Sequence, residues 1–185
     1  MKLRAAVLLA LLALTCACHK SAPAAPNQFS EQRFIIWALH TSMSYADLGA
    51  VAARRGYGAE TRALGQRMAQ EQASLHADLA RVAQQNGVAV PAQAEERRLA
   101  LKENLLTLPG QVFDRGFTLA VAQDSALMLR GFNQSGSTNN AALRDVASRY
   151  RSLIEQDQKT SNEILARIGG SPFGYSPDVG AAAPF

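Results

Sequence analysis

The clearest pattern of apolar and polar positions in the chain runs over residues 60–87. Apolar side chains recur there at steps of three, four and seven residues, which is the spacing of one face of an amphipathic α-helix. These residues are Leu64, Met68, Leu75, Leu79 and Val82. Gln72 interrupts the face at mid-length, with Glu71 beside it. The pattern therefore predicts a long helix in a bundle whose centre is, or once was, a polar site.

Three further segments have helical periodicity, at about 30–55, 111–132 and 141–168. Each carries an aspartate that we expect on its inward face, and these residues are Asp47, Asp124 and Asp157. The long connection at 88–110 contains a shorter predicted helix at about 94–106. We therefore expect an all-α fold, a four-helix bundle with a long connection carrying a short helix between helices 2 and 3, as in ferritin-like folds.

The start of the first predicted helix is apolar on nearly all sides. Its residues are Phe34, Ile35, Ile36, Trp37 and Leu39. We expect Ser30 to cap this helix, and its apolar start to be either deeply buried or a contact surface. His40 and Asp47 share another face, seven residues apart. They are half of a metal site or, as is more common, a hydrogen-bonded polar pair or part of a boundary face.

The composition favours a helical fold, and the arrangement of charges argues against a nucleic-acid partner. With 185 residues the chain has room for one domain, and it is 48% hydrophobic but only 6% aromatic, which is typical of an alanine-rich helical domain. The formal net charge is +4, but the basic residues, Arg54-Arg55 and Arg97-Arg98 among them, are interleaved with acids. We interpret them as solvated faces and predict no nucleic-acid partner.

Residues 1–18 have the features of a secretory signal peptide, because basic residues precede an apolar run that is too short to span a bilayer. The run ends in Cys16 and Cys18, which resemble the lipobox of bacterial lipoproteins. Cys18 follows Ala17 and is the better candidate for lipidation, with Cys16 second. The alternative is simple cleavage, which would give a soluble periplasmic protein.

The remaining chain divides into three parts. Residues 19–29 are predicted to be a flexible linker, 30–168 the helical domain, and 169–185 a tail rich in Pro, Gly and Ala. Both cysteines precede the domain, so the domain contains no cysteine and cannot form a disulfide within itself.

Three stretches resemble one protein family. They are RMAQEQ at 67–72, followed by LARVAQQNG at 79–87 and Pro91; FDRGF at 113–117, leading to Asp124-Ser125; and DLGAVA at 47–52. Together they resemble the ferritin-like, secreted bacterial family called domain of unknown function 4142, over about residues 30–168. The resemblance implies a ferritin-like bundle in the bacterial envelope, whereas the biochemistry of the family is largely unassigned.

The chain departs from this family where histidines are expected. Gln72 follows Glu71 in place of a histidine, Ser125 replaces the histidine after Asp124, and a further histidine is missing from the fourth helix. A carboxylate-bridged two-metal site needs Glu-x-x-His spacing so that both ligands project from one helix face. The histidines of the chain are His19, His40 and His76. None completes that spacing, and we expect His76 to be exposed.

What remains is a degenerate polar core, formed by Asp47, Glu71, Gln72, Asp124 and Asp157. Its carboxylates alone could bind Ca²⁺, Mg²⁺ or Mn²⁺, which prefer oxygen ligands. Buried together without a cation they would repel each other, so protonation or pairing with Arg or Lys would be needed. We favour a position of some of them at the rim of the bundle, and we predict no bound metal and no cofactor.

The residues of the common catalytic chemistries are also missing. The domain has no cysteine, no serine in a nucleophile elbow and no glycine-rich phosphate loop, so we predict no catalytic residues and no enzymatic activity.

The leading hypothesis is a non-enzymatic, periplasm-facing lipoprotein of the outer membrane that acts as a helical protein-binding module. It would be held on the membrane by an N-terminal lipid and bind an envelope protein. Immunity to, or inhibition of, a secreted toxin or cell-wall enzyme is one concrete version. The alternatives are a ferritin-like metal-binding or redox stress protein, and a structural lipoprotein that self-associates weakly through Phe34, Ile35 and Trp37.

Overall fold

A computed structural model describes residues 29–169 and 184–185, and within these ranges it contains five α-helices and no β-strand. The helices are α1 (Glu31–Arg55), α2 (Ala59–Gln85), α3 (Glu96–Thr107), α4 (Gly110–Ser135) and α5 (Ala141–Arg167). None of them is long and apolar enough to span a membrane. The signal segment with Cys16 and Cys18, nearly all of the linker and most of the tail lie outside the described residues.

The four long helices pack as two pairs. α1 lies along α2, and α4 lies along α5, each pair joined by a short turn and therefore antiparallel. The pairs meet through α2 with α5 and α1 with α4, while α3 packs against α1 and α4. The predicted all-α bundle with a short helix in the connection between the second and third long helices is confirmed. Its ferritin-like relationship stays a prediction.

Side-chain caps set several of the helix ends. Ser30 caps α1 as predicted, since its hydroxyl accepts a hydrogen bond from the Arg33 amide at 3.4 Å. Asn140 caps α5 by accepting from the Leu143 amide at 3.0 Å. α4 extends beyond the predicted end at 132, to Ser135, which is buried and donates from its hydroxyl to the Phe132 carbonyl at 2.9 Å.

The hydrophobic core forms two clusters along the bundle. One contains Phe34, Ile35 and Trp37 of α1, and the other contains Tyr45 and Phe113. The apolar start of α1 is therefore deeply buried, which is the first of the two alternatives predicted for it. The physical reason is that α2, α4 and α5 all contribute apolar side chains to the first cluster, and these cover the apolar residues at the start of α1.

α4 approaches α1 closely at Gly131. A Cβ atom at this position would lie 2.1 Å from Cε2 of the Phe34 ring, so the ring occupies the space that any larger residue would need. Phe34 in turn stacks edge-on against Phe132 with ring centroids 5.7 Å apart. Gly131 thus allows the aromatic side chain of α1 to lie flat against the backbone of α4.

Candidate functional site

The first buried polar group, which we call the Arg98 cluster, consists of Thr41, Tyr45, Arg98 and Asp124. The Tyr45 hydroxyl donates to Asp124 Oδ2 at 2.7 Å, and the Arg98 guanidinium contacts the same carboxylate. Arg98 also donates to Thr41 Oγ1 at 2.8 Å. Three helices, α1, α3 and α4, therefore meet at one charge-assisted network.

The burial of Arg98 was not predicted from the sequence. Arg98 was expected on a solvated face, but it is only 5% exposed and lies over the Trp37 and Tyr45 rings at 5.7 and 6.0 Å. Burial lowers the pKa of the Arg98 guanidinium, but the Asp124 charge and hydrogen bond outweigh burial, so that the pKa is raised. Burial and the Asp124 charge also raise the pKa of Tyr45 well above its usual value, so this hydroxyl keeps its proton.

The second buried polar group, the Asp157 cluster, consists of Arg67, Glu71 and Asp157. The Arg67 side chain donates to Asp157 Oδ1 from Nε at 3.2 Å and from Nη2 at 2.9 Å. Arg67 Nε also lies 3.9 Å from Glu71 Oε1. One guanidinium on α2 thus serves two carboxyl groups, and it links α2 to the fully buried Asp157 of α5.

Sharing one arginine leaves the two carboxyl groups with raised pKa values. Burial and then the Asp157 charge raise the pKa of Glu71 to about 7, against the opposing effect of Arg67. Burial raises the pKa of Asp157, although Arg67 lowers it. Glu71 Oε2 and Asp157 Oδ2 are both buried without a hydrogen-bond partner. Burial therefore favours the protonated form of Glu71 at pH values well above those at which an exposed carboxyl loses its proton.

The two remaining residues of the predicted polar core, Gln72 and Asp47, lie in different places in the structure. Gln72 is buried as predicted and lines a cavity of about 10 Å³ at the bundle centre together with Tyr45 and Asp124, which is room for about one water molecule. Asp47 contacts Lys102 of α3, and its side chain is 60% exposed. The prediction that Asp47 belongs to the polar core is wrong, because Tyr45 and Leu48 take the inward positions of this turn and direct Asp47 to the surface.

Two other polar residues, His76 and Asp78, are more buried than the sequence analysis predicted. His76 is half-buried rather than exposed, since its Nδ1 donates to the Leu39 carbonyl at 3.2 Å and ties α2 to α1. Asp78 is buried on the apolar face of α2, and it accepts hydrogen bonds from Arg149 at 2.6 Å and from the Tyr150 hydroxyl at 3.1 Å.

These positions do not fit a two-metal centre. Such a centre needs several carboxylate and imidazole ligands that converge on one point. Asp124 lies in one cluster, Glu71 and Asp157 lie in the other, and Asp47 lies at the surface. Within residues 29–169, no group of three or more His, Cys, Asp or Glu side chains could hold a metal ion. Arginine side chains supply the positive charge in both clusters.

The fold is an all-helical bundle with arginine–carboxylate ion pairs in its interior. The chain belongs to the family described as "Domain of unknown function (DUF4142)", whose match covers residues 16–164. The family inferred from the sequence is therefore confirmed, while the loss of histidines relative to it stays a prediction. No curated protein and no solved structure matches the chain.

Proposed function

We propose that this protein is a non-enzymatic helical binding module of the bacterial cell envelope, where it faces the periplasm and binds a protein partner. One observation carries the proposal. The interior carboxylates that a bundle of this kind could use for chemistry are neutralised by Arg98 and Arg67 instead. The ion pairs join helices of the bundle, α3 with α4 through Arg98 and Asp124 and α2 with α5 through Arg67 and Asp157.

The Arg98 cluster illustrates this role. Catalysis by an acid or base needs a group that reaches its substrate in a cleft. Asp124 lies at the wall of a groove, but both of its carboxylate oxygens accept hydrogen bonds from within the protein, from Tyr45 and Arg98. The network joins α3 to the bundle, so the long connection is held as a rigid surface element. Rigid helix faces are suitable elements for protein recognition.

The proposed location rests on the sequence of the first 29 residues. A lipid on Cys18, or on Cys16, would hold the domain at the outer membrane through the linker at 19–29. A specific form of this proposal is that the protein is an immunity or inhibitor protein against a secreted toxin or a cell-wall enzyme. Self-association is the weaker alternative, because the side chains first proposed for it, Phe34, Ile35 and Trp37, are buried.

The test is chemical crosslinking of the tagged full-length protein in its native envelope, followed by mass spectrometry. The matched variants Cys18→Ser and Cys16→Ser separate the two lipidation sites when lipid attachment is followed with a labelled fatty acid. We expect one stoichiometric envelope protein in the crosslinked fraction and loss of label with Cys18→Ser only. Recovery of this chain alone with abundant porins would contradict the proposal.

A further inference from the structure

The cavity beside Gln72 lies where the two hydrophobic clusters of the core meet. Of its apolar residues, Met128 and Ile154 belong to the first cluster, and Met68 and Val121 belong to the second. All four long helices contribute side chains to its wall. Its polar residues form a layer between the two clusters, and they are Thr41, Tyr45, Gln72, Asp124 and Ser125. The centre of the bundle is therefore polar at the level of this cavity.

The protein itself does not supply a hydrogen bond to every polar atom of this layer. The Thr41 hydroxyl donates to the backbone carbonyl one turn before it at 2.8 Å and accepts from Arg98 at 2.8 Å. The Tyr45 hydroxyl donates to Asp124 at 2.7 Å. Gln72 differs from both, because it is only 4% exposed and its Oε1 is buried without a hydrogen-bond partner. The amide of Gln72 therefore needs a donor inside the cavity.

The size and the lining of the cavity both suit a water molecule. Its volume of about 10 Å³ corresponds to about one water-sized sphere, which is close to the smallest cavity that holds a water. Purely apolar cavities stay dry, whereas this one has an amide, a carboxylate and hydroxyl groups in its wall. A buried acceptor without a donor also lowers stability, and a bound water removes this penalty. A filled cavity is therefore favoured over a dry one.

We propose that this cavity is a binding site for one structural water molecule. The water donates one hydrogen bond to Gln72 Oε1 and one to the Asp124 carboxylate, and it accepts one from the Ser125 hydroxyl. Both α2 and α4 pack against α1 and α5, and the water joins them across the centre of the bundle. The Arg98 cluster, which links α1, α3 and α4, is thereby extended to α2. This inference concerns the interior of the bundle and is independent of the proposed function.

Charge and size identify the ligand as water rather than as a cation or a larger molecule. Asp124 supplies the carboxylate of the cavity wall, and the Arg98 guanidinium already lies against it. Within residues 29–169, no group of three or more His, Cys, Asp or Glu side chains could hold a metal ion. The ligand must also both donate and accept, since Gln72 Oε1 is an acceptor and the Ser125 hydroxyl can donate. Water meets each of these requirements.

The first experiment compares the number of long-lived internal waters by oxygen-17 relaxation dispersion of water in solutions of the full chain. The variant Gln72→Met keeps the length of the side chain and removes its polar atoms. Its control is Gln66→Met, since Gln66 is exposed on the same helix. We expect the dispersion amplitude to fall by the contribution of one water in Gln72→Met and to stay unchanged in Gln66→Met. Equal amplitudes in the two variants would overturn the inference.

The second experiment needs no substitution, so it decides the question even if Gln72→Met fails to fold. Nuclear Overhauser effects between water and the side-chain amide protons of Gln72 are measured in the isotope-labelled, unchanged protein, in the laboratory frame and in the rotating frame. A long-lived bound water gives effects of opposite sign in the two frames, whereas proton exchange gives the same sign. We expect opposite signs at Gln72 and not at the exposed Gln66. The absence of this pattern at Gln72 would refute the water site.

Discussion

The Arg98 guanidinium and the Asp124 carboxylate form an ion pair in the bundle interior, although Arg98 comes from the helix in the long connection and Asp124 from α4. The pair is completed by the Tyr45 hydroxyl, so it joins three helices. Its geometry explains why a carboxylate can stand at mid-height in this bundle without a bound cation. The pair therefore ties the short helix of the connection to α1 and α4.

Removal of the Arg98 side chain should destabilise the protein. Arg98→Ala leaves Asp124 partly buried and uncompensated, and we expect a loss of about 3–5 kcal/mol in the free energy of unfolding. Urea denaturation measures it. The control Arg97→Ala changes an exposed neighbour in the same helix and should cost less than about 0.5 kcal/mol. Equal effects of the two substitutions would contradict the buried position of Arg98.

The Glu71 carboxyl should make stability depend on pH. Its pKa is about 7 in the folded protein and 4.5 as the ordinary value, so the folded state binds more protons between these limits. Stability therefore falls as pH rises from about 4.5 to 7, and the raised pKa of Asp157 acts in the same direction. Glu71→Gln should flatten this dependence.

Thermal unfolding at about pH 5 and pH 8 measures the Glu71 effect. The exposed Glu155 on α5 provides the matched control, and Glu155→Gln should leave the dependence intact. A steeper loss of stability toward pH 8 in Glu71→Gln than in the unchanged protein would show that the sign is wrong.

Gly131 should not tolerate a side chain. In Gly131→Ala the new Cβ meets the Phe34 ring, and overpacking of this kind costs about 1–3 kcal/mol. Gly136→Ala is the control, because Gly136 has helical φ and ψ angles and its nearest neighbour to a new Cβ is 3.2 Å away. Chemical denaturation of both variants checks the prediction, which an unchanged midpoint in Gly131→Ala would refute.

Divalent cations should not stabilise the protein. Because the four carboxylates of the predicted polar core are divided between two arginine-paired clusters and the surface, we expect about 1 mM Mn²⁺, Mg²⁺ or Ca²⁺ to leave the melting temperature unchanged. The measurement is differential scanning calorimetry with and without chelator. A rise in melting temperature that Asp124→Asn abolishes would favour the ferritin-like metal-binding alternative.

Periodicity in the sequence was sufficient to predict the five helices, because it records which face of each helix is buried. It also placed Gln72, Asp124 and Asp157 inward. Arg98 and Asp78 also share the apolar faces of their helices, but their charge favoured an exposed position, and the partners that allow their burial lie 26 and 71 residues away along the chain. Asp47 was misplaced for a related reason, since α3 and the bulky neighbours of Asp47 decide which side of α1 faces inward.

The most direct test of the central claim removes the buried charges of the Arg98 cluster and then measures whether the protein still captures its partner. The double variant Arg98→Met/Asp124→Leu replaces the buried pair by apolar side chains of similar size, which is often tolerated or stabilising. If the interior is structural and the surface binds the partner, this folded variant should capture the same envelope protein in the same yield as the unchanged protein. Loss of the partner by a variant that keeps its helical circular-dichroism spectrum and cooperative unfolding would contradict the account.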